Sequence, residues 1–103
     1  MSKVLIVEDD EVIAQGMARH LTAAGFDPVC VNRGDLGLQR LRFEHPAVCI
    51  LDLMLPGIDG WRFLETARAE GLVRVARTTV ERWDEGVERM RPEHAVLYER
   101  SAP

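Results

Sequence analysis

The sequence predicts an open, doubly wound α/β sheet, and three observations carry the prediction. Short, continuous apolar runs recur along the chain, such as "KVLIV" at 3–7 and "AVCIL" at 47–51. Between them lie segments whose apolar residues repeat at three- and four-residue spacing, the period of a helix with one buried face. Two of the apolar runs end in acids: Glu8, Asp9 and Asp10 after the first, and Asp52 at the third. Strand and helix in strict alternation imply parallel pairing through right-handed crossovers, with helices on both faces of the sheet.

Each element has its own signal. "KVLIV" is rich in β-branched residues and too short for a helix, so it reads as a strand buried on both faces. From Asp10 the period changes: Ile13, Met17 and Leu21 recur every four residues with Ala14 and Ala18 beside them, and Gly25 stops a helix over 11–24. Asp10 is expected to cap it. "DPVCVN" at 27–32 is the second strand. Asp35 is placed as the cap of a second helix that carries Leu38 and Leu41 and ends before Pro46, because a residue ahead of proline avoids the helical region.

"AVCIL" is the third strand, and the "LPGIDG" loop leads to a third helix marked by Trp61, Leu64 and Ala67, which stops near Gly71. "LVRVA" at 72–76 is interrupted by Arg74, which suggests an edge or distorted strand. Val80, Trp83, Val87 and Met90 fall at helical spacing before Pro92, and "HAVLY" at 94–98 reads as a fifth strand.

Composition narrows the function. At 103 residues, 47% hydrophobic and 29% charged, the chain has the make-up of one small globular domain. Its net charge of -4 offers no field for nucleic acid or an anionic membrane, and no basic stripe is present. No apolar stretch approaches the roughly 18 residues of a membrane helix, and the N-terminus turns acidic too early for a signal peptide, so a cytoplasmic location is expected. Cys30 and Cys49 stand in predicted strands outside any CxxC pattern, and are expected to be buried apolar residues in a reducing compartment.

In a doubly wound sheet the site lies beyond the carboxyl ends of the strands. The acids after the first strand and Asp52 at the end of the third meet there. Carboxylates that converge repel one another unless a divalent cation neutralises them, and a set of oxygen ligands with spare positions favours Mg²⁺ over zinc.

The paired motifs "VLIVEDD" and "ILDLMLPGIDG" resemble the receiver domain of two-component response regulators over residues 3 to about 71. That resemblance implies a flavodoxin-like (CheY-like) sheet of strand order 2-1-3-4-5, here lacking the fifth helix. It implies that Asp52 is the phosphoacceptor, that Glu8 and Asp9 are the acidic pair, and that the backbone carbonyl of Met54 joins them on Mg²⁺. Asp9 is expected to bind the ion directly and Glu8 through a water. Pro56 and Gly57 match the family's tight turn. The implied partner is a histidine kinase or phosphotransfer protein.

The last third departs from the pattern. The family places a Ser or Thr after its fourth strand and a Lys-Pro pair after its fifth. Thr78, with Thr79 beside it, is the candidate hydroxyl residue. The chain's only lysine is Lys3, and "YERSAP" stands where Lys-Pro is expected, leaving Arg100 as the basic residue nearest that place. Residues 1–103 are therefore read as one receiver-like domain, typical over 1–71 and divergent or truncated over 72–103. A missing fifth helix would leave one sheet face open, so a homodimer or a covering partner is expected. The alternative function is a degenerate receiver that serves as a phosphorylation-independent interaction module.

Overall fold

The computed structural model describes residues 2–52, 55, 58, 60–75 and 94–99, with Arg74, Val75 and 94–99 described by their backbone. The elements alternate as expected: β1 (Lys3–Val7), α1 (Glu11–Ala23), β2 (Asp27–Val31), α2 (Gly34–Glu44), β3 (Val48–Asp52), α3 (Gly60–Ala69), β4 (Val73–Val75) and β5 (His94–Glu99). The expected helix around Val80 to Met90 lies outside the described residues, as does Trp83.

β1 is central and pairs in parallel with β2 and β3, Leu5 standing opposite Val29 and Cys49. Val4 to Val7 are all apolar and buried because both faces are covered. Leu5 and Val7 face α2 and α3, in a core with Leu38, Leu41, Cys49, Leu51, Phe63 and Ala67. Val4 and Ile6 face α1, against Ala14 and Ile50. β2 is an edge strand. The amide of Asp27 donates to Ser2 across the β1 side, so the alternate residue Pro28 has its nitrogen toward the open edge, where a missing N–H leaves no ladder bond unmade.

The strand order is β2-β1-β3-β5-β4, not 2-1-3-4-5. β5 lies between β3 and β4 and runs antiparallel to both, with Asp52 opposite His94 and Val48 opposite Tyr98. The composition accounts for the exchange. β5 carries the run Ala95, Val96, Leu97 and Tyr98, which suits an interior position, whereas the three residues of β4 include Arg74 and suit the edge that the sequence suggested for them.

Both glycine stops hold, for the same reason. After α1 the Gly25 amide donates to Thr22 and the Phe26 amide to Leu21, and after α3 the Gly71 amide donates to Arg68 and the Leu72 amide to Ala67. This pair of bonds needs a left-handed residue between them, supplied by Gly25 at φ 92° and Gly71 at φ 70°. Asp35, by contrast, is not the cap of α2. Arg33 holds that position without a side-chain capping bond, and Asp35 sits in the first turn, accepting from the Leu36 amide and pairing with the Arg33 side chain at 2.9 Å.

Two packing expectations change. Trp61 is 59% exposed, and the buried face of α3 is Gly60, Phe63 and Ala67, with Leu64 packed partly buried beside it. Cys30 is exposed, as an edge strand has no neighbour to cover it, while Cys49 is buried. Cys30 pairs with Ile6 and Cys49 with Leu5, adjacent residues that face opposite ways, so the thiols lie on opposite sides of the sheet.

Two outcomes test this packing. A Cβ at Gly37 would meet Phe63 Cε2 at 2.8 Å and Val7 Cγ2 at 2.9 Å, so Gly37→Ala is expected to cost about 1–3 kcal/mol in chemical denaturation. Gly16 has nothing within 4 Å, and Gly16→Ala should stabilise by about 0.5–1 kcal/mol. Burial pushes the Cys49 thiol far up and raises Cys30 as well, which lowers the thiolate fraction of each. A disulfide reagent at pH 8 should therefore titrate Cys30 in the native protein, more slowly than free cysteine, and Cys49 only after unfolding.

Candidate functional site: an acidic cluster at the strand ends

The register of β1 on β3 builds the site. Val7 stands opposite Leu51, so the next residue on each strand, Glu8 and Asp52, end level with one another. The Glu8 amide extends the ladder by donating to Val31 at 3.0 Å, and its carboxylate is turned back to accept the Asp10 amide at 3.1 Å. Asp10 accepts in turn from the amides of Val12 and Ile13 at 2.9 and 3.2 Å, which caps α1 as expected. These bonds swing the chain from strand into helix and leave Asp9 exposed between them.

Carboxylate oxygens of Glu8, Asp9 and Asp52 all lie within 4.8 Å of one another. Glu8 and Asp52 are 3% and 6% exposed. Three acids so close repel, and burial of two of them removes the water that would screen the repulsion. A divalent ion relieves it. Opposite ligands of an octahedral Mg²⁺ stand about 4.2 Å apart, a spacing close to the separations in this set, and the all-oxygen donors suit Mg²⁺ rather than a thiolate-seeking metal.

Of the other candidates, Met54 and Thr78 lie outside the described residues, as do Pro56, Gly57 and Arg100. Lys3 is at the wrong end of the sheet. It pairs with Glu44 at 3.0 Å, and roughly 16 Å of β1 separates it from Glu8. The reversal of β5 also moves its exit: Glu99 stands opposite Val73 and Tyr98 opposite Val48, at the end of the sheet remote from Asp52. The strand after which the family pattern places Lys-Pro instead has its first residue, His94, opposite Asp52. No sequence signal announced this, because periodicity does not report strand direction.

Residues 4–96 match the family model described as the response regulator receiver domain. The chain belongs to the response regulator receiver family. Among curated relatives, this receiver is 38% identical over 66 residues to the transcriptional regulatory protein HprR of Escherichia coli K12, an alignment covering 64% of this chain and 30% of that protein. It is 39% identical over 72 residues to the transcriptional regulatory protein CseB of Streptomyces coelicolor, covering 70% of this chain and 31% of the relative. The chain thus spans about three-tenths of the length of these relatives.

Two solved structures agree. The BeF3-activated N-terminal receiver domain of Klebsiella pneumoniae RstA superposes with a TM-score of 0.63 at 34% identity, over 66% of this chain and 58% of that one. The receiver domain of the Francisella response regulator 1452 superposes with a TM-score of 0.69 at 26% identity, over 86% and 78%. Among the described residues of this receiver, no helix is long and apolar enough to cross a membrane.

The cap that turns β1 into α1 gives a direct test. Asp10→Ala leaves the amides of Val12 and Ile13 without their acceptor, and is expected to lower stability by about 1 kcal/mol in a denaturant titration.

Proposed function

We propose that this receiver accepts a phosphoryl group on Asp52 from a histidine kinase or a phosphotransfer protein, in a reaction that requires Mg²⁺. The convergence of Glu8, Asp9 and Asp52 within 4.8 Å carries the reading. An Asp52 oxygen forms the new bond to phosphorus as the bond to the donor's imidazole nitrogen breaks, the electron pair leaving with that nitrogen. Glu8, Asp9, Asp52 and the Met54 carbonyl would hold the ion, with Asp9, the exposed member, as a direct ligand and Glu8, whose carboxylate already accepts an amide, acting through water. When bound, the ion supplies positive charge to the oxygens of the transferring group. Thr78 is the proposed hydroxyl contact to those oxygens. Residues 1–103 act as one domain in the cytoplasm, as a signalling module whose only catalysis is of its own phosphorylation and dephosphorylation.

A second reading has an observation of its own. Lys3 is held by Glu44 at the far end of β1, and β5 leaves the site rather than arriving at it. A receiver whose only lysine is held away from the acidic cluster is suited to phosphorylation-independent binding of a partner.

Intact mass after incubation with Mg²⁺ and acetyl phosphate separates the two. Gain of one phosphoryl group by the parent and none by Asp52→Asn is the expected outcome. Absence of labelling under conditions that label an ordinary receiver would overturn the first reading in favour of the second.

A further inference from the structure

We propose that the outer face of α2 is a self-association surface, through which two copies of this receiver pair about a two-fold axis with their α2 helices antiparallel. α2 is apolar on two sides. Gly34, Gly37, Leu38 and Leu41 are buried, the two leucines in the core with Leu5 and Phe63, whereas Leu36 and Phe43 are 39% and 82% exposed. Seven residues apart, Leu36 and Phe43 share one stripe, and a second apolar stripe on a helix calls for a second neighbour. Beside it lies a groove of about 440 Å³, bounded by Val31, Leu36, Gln39, Arg40, Phe43 and Glu44. An exposed aromatic next to a groove that can receive one is the arrangement in which interfaces concentrate their binding energy.

Charge selects the occupant. Every charged side chain of α2 is already in an ion pair, Asp35 with Arg33 and Arg40 with Glu44 at 2.9 Å, and Arg42 with Glu70 at 2.7 Å. A strongly acidic or basic partner would gain little from a rim whose charges are matched. A second copy brings the same matched rim, so two chains that each carry a net charge of -4 meet here with no unpaired charge of α2 on either side. The stripe is also self-complementary. A two-fold axis midway between Leu36 and Phe43 sets Leu36 of each copy against Phe43 of the other, and Arg40 against Gln39, whose amide oxygen can accept from the guanidinium N–H groups that Glu44 leaves over. The open edge of β2 is the other route by which a sheet joins its copy, and Pro28 obstructs it. Phe43 stands beside Glu44, whose partner Lys3 is at the end of β1 remote from Glu8, so pairing through Phe43 is independent of chemistry at Asp52.

Sedimentation equilibrium of the full chain over about 10–500 µM tests the surface, since a contact made by one short helix falls at the weak end of interface sizes. The parent is expected to move from the mass of one chain toward that of two as concentration rises. Phe43→Asp should stay at one chain throughout, and Leu36→Asp should do the same because the axis sets these two residues together; Leu36→Asp decides the matter if Phe43→Asp does not fold. Val12→Asp adds the same charge in place of another exposed apolar residue, 79% exposed on α1, and should pair as the parent does. A parent that remains monomeric overturns the proposal. So does a dimer that survives either α2 substitution or is lost in Val12→Asp, and so does growth beyond two chains, which a closed two-fold contact forbids.

Discussion

The level ending of β1 and β3 is the constraint on which the rest depends. With Val7 opposite Leu51, the residues that follow them are brought side by side, and both are acids. A slip of one residue would turn the apolar positions of one strand to the wrong face and separate Glu8 from Asp52 in the same step. The register that buries Leu5, Val7, Cys49 and Leu51 against α2 and α3 is therefore the register that assembles the site. Core and chemistry are specified together.

That coupling has a cost, which the local bonds contain. Glu8 is buried beside another carboxylate, and accepts the Asp10 amide; Asp10 then caps α1. The turn out of β1 is held by the same acids that give the site its charge. Repulsion among Glu8, Asp9 and Asp52 is offset in part by hydrogen bonds such as the one Glu8 accepts from the Asp10 amide, and a cation held among the three would offset it further.

The other side of the sheet is arranged differently from the expected pattern. β5, with its apolar run, takes the place beside β3 and reverses direction, so the end of β5 is carried away from Asp52. Lys3 contributes to stability at the opposite end, joined with Arg40 on the two oxygens of Glu44. The acids Glu8, Asp9 and Asp52 gather at the ends of the neighbouring parallel strands β1 and β3, the part of the sheet that keeps the expected order.

Much of this was legible in the residues. The periods of the apolar residues located β1 to β3 and α1 to α3, Gly25 and Gly71 marked helix ends through the left-handed conformation they allow, and Glu8, Asp9 and Asp52 stood out as charges at the ends of apolar runs. All of these are local properties, set by spacing, conformational preference and the cost of burying charge. Others are decided between distant segments. Whether Trp61 or Phe63 fills the core depends on which stripe of α3 meets the sheet, and whether Cys30 is covered depends on β2 lying at the edge. The direction of β5 depends on competition for the place beside β3, and the need for glycine at position 37 on the side chains of Phe63 and Val7. A chain records its own periodicity, but the neighbours that each face will meet exist only once the sheet has formed.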